Sequence, residues 1–305
     1  MTQITADQFT GCLLGLATGD ALGARHEGGV LERLLWRMIG RTSEGKLRWT
    51  DDTRMTLDLA ETLLQHDRVD LDVIARKFAD SYRWSRGYGP GAAKVLKRIR
   101  RGEAWQTAST AIFPAGSYGN GAAMRVPVLA LFFAGDLDQL IDAARATAKI
   151  THAHPLGIDG ATLIAAATHT LLHHGPTQRV LTAAHKACTT ADMQSRVALA
   201  ARWLEADSIR SVAEIRSELG NGTAALSSCV TALYLRDPEA AMDLLEPVFE
   251  EITISLYRNV LTDPDLDSLR KRPRFRKMLA ATAKRLRVEP EADAIPAASA
   301  APPRL

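Results

Sequence analysis

The chain has 305 residues and a net charge of +3, with 46% hydrophobic and 24% charged residues, so wholesale disorder is excluded. Aromatic residues make up 6% of it, and abundant alanine and leucine favour helices over strands. No apolar stretch approaches the roughly 20 residues that span a bilayer, and the first residues lack the pattern of a secretory signal. Cys12, Cys188 and Cys229 are far apart and match no zinc spacing, so we expect a reduced, cytoplasmic protein without a membrane partner.

The positive charge is concentrated near the C-terminus. Nine basic and no acidic residues lie between Ser268 and Arg287, and without them 29 basic residues face 35 acidic ones, a net charge of −6. A nucleic-acid partner is therefore expected only through this basic segment.

Apolar residues recur at helical spacing along most of the chain. Asp7 is the predicted cap of a first helix, Thr50, Asp51 or Asp52 of a helix over 53–65, and Asp70 of the next. Further helices are predicted over residues 94–101, 122–133, 137–149, 156–173, 177–188, 193–206, 223–235, 238–257 and 266–286. No run of alternating apolar and polar residues predicts a strand. The sequence predicts an all-α fold, a compact multi-helix bundle.

The composition changes after residue 262. We predict a helical domain over 1–262, a basic helical extension over 263–288 and a disordered Pro/Ala-rich tail over 289–305.

The first chemical signal is the segment Trp49-Thr50-Asp51-Asp52-Thr53. Two adjacent carboxylates and a hydroxyl offer the hard oxygen ligands that Mg²⁺ prefers. The alternative is that Thr50 or Asp51 only caps the helix and that the acidic residues favour the positive end of its dipole.

A glycine-rich segment, residues 15–23, contains Asp20 and is followed by Glu27. Burying a carboxylate without partners is costly, so we expect Asp20 to bond to a backbone turn. Glu27 lies beyond the last glycine and is the better candidate for a general acid or base.

A second glycine-rich segment runs from Gly116 to Gly121 into a predicted helix. Free N–H groups and the helix dipole would favour a phosphate there, and Tyr118 could stack on a sugar or base. The alternative is an ordinary turn with a helix cap at Asn120.

Two histidines, His152 and His154, precede Pro155. No third nitrogen or sulfur ligand follows at a zinc spacing, so the histidines are expected to line a polar pocket. The pair His173-His174 is predicted to end a helix, where it suits the dipole.

In chain order, these motifs resemble those of the ADP-ribosylglycohydrolase family, whose bacterial members include the dinitrogenase-reductase-activating glycohydrolases. The resemblance covers roughly Gly11 to Leu235 and rests on five ordered motifs: GCLLGLATGDALG with a following Glu, WTDDT, GYGPG, GSYGNGAAMR and THAHP with a following DGA. It implies an all-helical domain with a Mg²⁺ cleft that removes ADP-ribose from a modified protein side chain or a small-molecule ADP-ribose conjugate.

By position, the resemblance implies three sets of site residues. Thr50, Asp51 and Asp52 would hold one or two Mg²⁺ ions, and Asp51 and Asp52 would act in catalysis together with Glu27. The substrate would be bound by Tyr88, Gly89, Gly116, Ser117, Tyr118, Gly119, Asn120, Gly121 and His152.

The sequence departs from the family pattern at two places. Arg25 stands where the family usually has proline. The C-terminal Gly-Gly-Asp-x-Asp segment, which supplies the other metal ligands, is missing. Its nearest match, Asp265-Leu266-Asp267-Ser268, lacks the glycines and runs into basic residues, so we do not expect Asp265 or Asp267 to bind the metal. Three hypotheses stay open: an active Mg²⁺-dependent hydrolase, an ADP-ribose-binding pseudoenzyme, and a structural or adaptor protein.

Overall fold

The computed structural model describes residues 4–45, 47–206, 210–235, 254 and 273–288. The chain divides into two units, the first comprising residues 1–206 and 216–234 and the second residues 207–215 and 235–305. The described part is helical, with isolated bridges as its only β contacts, so the predicted all-α fold is confirmed. None of the described helices has the length and apolar character that crossing a bilayer requires.

The described helices, in chain order, are α1 (Ala6–Gly23), α2 (Val30–Ile39), α3 (Asp51–His66), α4 (Leu71–Ser81), α5 (Pro90–Arg100), α6 (Trp105–Thr110), α7 (Pro127–Phe132), α8 (Leu137–Ala148), α9 (Pro155–Leu172), α10 (Thr177–Ala187), α11 (Ala191–Glu205), α12 (Val212–Glu218), α13 (Ala225–Leu235) and α14 (Pro273–Leu286). Short 3₁₀ segments cover Ala24–His26, Trp84–Arg86 and Asn120–Arg125.

Helix α9 lies at the centre of the first unit and packs against α7, α8 and α10 and the third 3₁₀ segment. Small residues on α9 permit this packing: a methyl group at Gly160 would come within 2.7 Å of the Ala225 side chain on α13. The core around these helices is formed by fully buried apolar side chains, among them Leu59, Phe78, Leu96, Leu129 and Leu140. Burial of this apolar surface is the main force that holds the unit together.

The N-terminus of α1 differs from the prediction. Thr5, not Asp7, is the N-cap, because the Thr5 hydroxyl accepts the Gln8 N–H while the Gln8 side chain accepts the Thr5 N–H. This reciprocal pair is a capping box, which satisfies two N–H groups at once. Asp7 lies in the first turn, where its charge favours the helix dipole.

The predicted helix over 122–133 is also wrong in one respect. It divides into the 3₁₀ segment Asn120–Arg125 and helix α7, which begins at Pro127. Proline has no N–H to continue the hydrogen bonds of a preceding helix, but it suits the first position of a new one. Helices α2, α6 and α12 were not predicted.

Several sequence predictions concern residues outside the described part. The helix over 238–257 falls there except for Ile254, which is helical. The boundary at residue 262, the pair Asp265 and Asp267, and the tail over 289–305 also lie outside it. Within the second unit, helix α14 buries Phe275, Met278 and Ala283.

Candidate active site

Asp20 fixes the position at which α3 begins. Its buried carboxylate accepts the Thr50 N–H at 2.8 and 2.9 Å and the Thr53 N–H at 3.0 Å. The Thr53 hydroxyl donates a further bond at 2.5 Å. The expected backbone role of Asp20 is confirmed: it joins the C-terminal half of α1 to the first turn of α3, where N–H groups lack helical partners.

Thr50 is the N-cap of α3, since its hydroxyl accepts the Asp52 N–H. Capping is therefore one role of the predicted metal-binding motif. The Asp51 and Asp52 side chains follow in the first turn and are partly buried. Burial raises the pKa of Asp51 to about 7, and the charges of Asp20 and Glu27 contribute. Burial, followed by the charge of Asp51, raises the pKa of Asp52 well above its ordinary value.

Glu27 follows the 3₁₀ segment Ala24–His26. Its carboxylate lies over Gly23, where a methyl group would be 3.5 Å from Oε1. Partial burial and the charge of Asp20 raise the Glu27 pKa. Because the Glu27 charge also raises the pKa values of Asp51 and Asp52, the structure brings the three predicted catalytic carboxylates together.

The segment that contains Tyr88 and Gly89 lies beside these carboxylates. A methyl group on Gly87 would be 3.7 Å from Asp51 Oδ1. The Tyr88 ring is buried against Tyr82, with 4.9 Å between ring centroids, and burial followed by the Asp51 charge raises the Tyr88 pKa. Gly89 is exposed at the N-terminus of α5.

The Gly116–Gly121 loop packs directly on the segment that contains the histidines. Gly116 has φ of +83°, and any side chain there would meet the backbone of Ala153 and His154. At Gly121, a methyl group would come within 2.6 Å of His152 Cε1. These positions admit only glycine because the loop backbone touches the chain beneath it.

The loop does not enter an α-helix as predicted, but the 3₁₀ segment Asn120–Arg125, whose cap is Gly119 rather than Asn120. Two of its N–H groups are already used within the protein: Gly119 donates to the Ser117 hydroxyl and Asn120 to the Thr223 carbonyl. The expectation of free N–H groups is therefore wrong at these two residues. Tyr118 has 57% of its side chain exposed.

His152 is buried below the loop and its Nδ1 lies 2.8 Å from the Thr151 hydroxyl. Burial, and then the charge of Arg125, lower the His152 pKa to about 3. His152 is therefore a neutral imidazole at pH 7. His154 has another position: its Nδ1 accepts the Leu156 N–H and so caps α9.

Arg125 is a fully buried arginine that connects the motifs, a role that the sequence did not predict. Its guanidinium donates to the Gly121 carbonyl at 2.8 Å, the Thr151 hydroxyl at 3.0 Å and the Thr147 carbonyl at 3.0 Å. It also lies 4.9 Å from the centre of the Phe78 ring. A single arginine between a glycine-rich loop and a proline adds nothing to the apolar periodicity of the sequence. Its role in joining these segments is therefore visible only from its contacts.

Asp159 was also missed. Its buried carboxylate accepts the backbone N–H and the hydroxyl of both Thr189 and Thr190, at 2.6–3.0 Å. These bonds hold the turn between α10 and α11, so Asp159 stabilises the fold. The His173 ring bonds to the Ala134 carbonyl at 2.8 Å.

The chemistry of the donors at the start of α3 fits a hard divalent cation, because the Thr50 hydroxyl and two carboxylates present oxygen atoms. Burial is the main cause of the raised pKa values of both carboxylates, and the charges of neighbouring carboxylates contribute; a nearby cation favours the charged form of such groups. In the described ranges, however, no group of three or more His, Cys, Asp or Glu residues is arranged to hold a metal ion. The donors at the start of α3 are therefore compatible in type with the ion.

The order of these elements matches a known protein family. The family model for ADP-ribosylglycohydrolases matches residues 1–246. The chain belongs to this family. It is 34% identical to the ADP-ribosylhydrolase ARH3 of Mus musculus over 263 residues, which cover 74% of this chain and 70% of that protein. It is 31% identical to the Homo sapiens ARH3, with 86% and 82% covered.

Two further matches to this ADP-ribosylglycohydrolase are a bacterial relative and a solved structure. The ADP-ribosyl-[dinitrogen reductase] glycohydrolase of Rhodospirillum rubrum is 34% identical over 160 residues, 49% of this chain and 53% of that protein. A solved structure described as an ADP-ribosylglycohydrolase-related protein complex superposes with a TM-score of 0.54 and 25% identity, covering 78% of this chain and 79% of that one.

Proposed function

We propose that this ADP-ribosylglycohydrolase hydrolyses the glycosidic bond between ADP-ribose and a modified protein side chain or small acceptor. The observation that carries the proposal is the family match over residues 1–246, which includes every predicted site residue. The clustering of Glu27, Asp51 and Asp52 supports it, because cleavage at an anomeric carbon needs carboxylates near a transition state with oxocarbenium character.

Each residue has a proposed role. Glu27 accepts the proton of the attacking water as a general base, and burial followed by the charge of Asp20 raises its pKa. Thr50, Asp51 and Asp52 hold Mg²⁺, which when bound orients hydroxyl groups and polarises the water. Exposed Tyr118 contacts the nucleotide, whereas buried Tyr88 supports the wall behind Asp51. The remaining predicted contacts, Gly89, Gly116, Ser117, Gly119, Asn120, Gly121 and His152, stay proposals of substrate binding.

The experiment is ADP-ribose release from ADP-ribosylated arginine and serine peptides, with and without Mg²⁺. We expect release by the wild type only with Mg²⁺ and none by the double variant Asp51→Asn, Asp52→Asn. Asp80→Asn, an exposed residue of α4, is the matched control and should keep wild-type activity. Undiminished release by the double variant would refute the assigned roles.

A second candidate is ADP-ribose binding without hydrolysis. It is favoured by the sequence, in which the C-terminal Gly-Gly-Asp-x-Asp segment of the family is not found. Calorimetry separates the two: binding of ADP-ribose together with no turnover on any peptide supports the second candidate, and turnover excludes it. Titrating Mg²⁺ in the presence of ADP-ribose gives the number of ions bound.

A further inference from the structure

A small cavity lies between the end of α1, the end of α2 and the chain that leads into α3. Its volume is about 150 Å³. We propose that it binds one small oxyanion of the phosphate type. The described residues that line it are Arg25, Arg41, Arg48, Trp36, Ala21, Ala24, Gly40 and Leu47.

The local fold holds two of the arginines in place. Arg41 and Leu47 make an antiparallel bridge, and the Arg48 N–H donates to the Gly40 carbonyl at 2.9 Å. Arg41 Nη1 donates to the Gly45 carbonyl at 2.6 Å and Arg48 Nη1 to the Ile39 carbonyl at 3.1 Å. The backbone therefore fixes both side chains at the cavity before any ligand arrives.

The charge of the cavity is unbalanced. Its described lining contains three guanidinium groups and no carboxylate. Within the described ranges, Arg25, Arg41 and Arg48 form no ion pair with an acidic residue, and each guanidinium carries five N–H donors of which few are used. Three like charges around one small space repel, and a tetrahedral oxyanion both neutralises them and accepts their bonds in pairs.

Asp20 and Glu27, the acidic residues closest in the chain to Ala21 and Arg25, do not fill this role. The Asp20 carboxylate is occupied by the Thr50 and Thr53 N–H groups. Burial and the charge of Asp20 raise the pKa of Glu27. An ion pair with Arg25 would instead lower that pKa. Because the described lining holds no carboxylate, an external anion can supply the negative charge.

The size and position of the cavity limit what it binds. Its volume is far below the ~300 Å³ at which cavities begin to hold drug-sized ligands, so a nucleotide is excluded. Trp36 is buried and separates the cavity from the candidate active site: a methyl group at Gly87 would be 3.1 Å from the Trp36 ring and 3.7 Å from Asp51 Oδ1. None of the residues assigned to the proposed hydrolysis is among the described residues that line the cavity.

Calorimetric titration with inorganic phosphate, without Mg²⁺ and at low chloride, tests the proposal. The wild type should bind one phosphate per chain, and phosphate should raise its melting temperature by mass action. The triple variant Arg25→Gln, Arg41→Gln, Arg48→Gln should have an affinity for phosphate that is lower by roughly tenfold or by a larger factor, since each lost guanidinium removes charge-assisted bonds. Arg76→Gln, at an exposed position of α4, should bind like the wild type.

Single variants guard against misfolding of the triple variant, and Arg48→Gln alone should weaken binding measurably. Ribose 5-phosphate identifies the source: weaker binding than inorganic phosphate supports a free oxyanion, and equal binding shows that a phosphate monoester enters. Phosphate binding that does not saturate, or that survives unchanged in the triple variant, overturns the proposal.

Discussion

Buried charged side chains connect the sequence motifs of this protein at the scale of single residues. Asp20 and Asp159 each accept several hydrogen bonds from a turn, and Arg125 donates to three different segments. In each case an ionised group replaces its hydration with protein partners, which is the condition for burying it at an acceptable cost. Asp20 thus holds the first turn of α3, which carries the proposed catalytic residues Asp51 and Asp52.

Replacing Asp20 tests this role. Asp20→Asn keeps the shape but replaces one carboxylate oxygen with an NH₂ group, so at least one of the three donors around it (the Thr50 N–H, the Thr53 N–H and the Thr53 hydroxyl) loses an acceptor, and we expect the free energy of unfolding to fall by about 2 kcal/mol or more. Urea denaturation measures it. The exposed control Asp80→Asn should change stability by ~0.5 kcal/mol at most; equal effects for the two variants would contradict the role of Asp20.

His152 makes a prediction about pH. Its folded-state pKa of about 3 lies below the ~6.5 of an unfolded histidine. Between these values the unfolded chain binds the additional proton, so stability is lost as pH falls, by up to about 1.4 kcal/mol per pH unit. His152→Gln and His152→Asn should both remove this contribution from the slope of unfolding free energy between pH 6 and pH 4. A slope equal to that of the wild type in both variants would show that His152 is already protonated in the fold.

At the scale of elements, the important contact joins the glycine loop to the segment between α8 and α9. The loop is held from below by His152, from the side by residues 223–225 and from within by Arg125. The carbonyl of Tyr118 accepts the Ala225 N–H at 2.9 Å. Ala225 is the first residue of α13, so this bond joins the loop to the start of that helix. These contacts fix the loop backbone at Tyr118, the residue that we propose contacts the nucleotide.

We expect Gly121→Ala to destabilise the protein by about 1–3 kcal/mol, because its methyl group would overlap the His152 ring. Adding His152→Ala should recover part of that loss by opening space, so a double-mutant cycle should give a favourable coupling. Gly222→Ala, where no atom lies within 4 Å, is the matched control. Additive effects at positions 121 and 152 would argue against their direct contact.

Helix predictions succeeded where the signal is local. Helices α8 and α10 were predicted to within about one residue at each end. Helix α2 was missed because it follows two glycines and begins after Gly29, which gives no side-chain cap. In α1, periodicity did not show which face is buried: Phe9 and Leu14 remain 45% and 61% exposed.

At the scale of the whole molecule, the net charge of +3 combines a mildly acidic body with a basic C-terminal segment. Helix α14 carries exposed Arg276, Lys277 and Lys284. Contact between this surface and a polyanion remains a prediction from the sequence. The contribution of this basic surface to binding can be separated from that of the overall net charge, because two variants can have the same net charge but lose it at different places.

The triple variant Arg276→Gln, Lys277→Gln, Lys284→Gln lowers the net charge from +3 to 0. If the basic segment binds nucleic acid, the variant should bind a DNA duplex more weakly at low salt, with a shallower dependence of affinity on salt. The control, with glutamine at the exposed positions Lys94, Lys97 and Arg101, has the same net charge and should bind like the wild type. Equal loss in both variants would assign binding to net charge alone.

The sequence by itself determined the helical class, the family and the identity of the candidate carboxylates, because helical periodicity, caps and ordered motifs are properties of short stretches of chain. Only the tertiary structure decided that Asp20 anchors a helix 30 residues away, that Arg125 joins Thr151 and Met55, and that three arginines surround one cavity. Such pairings are set by how helices pack, and the cost of burying a charge appears only once its surroundings are known.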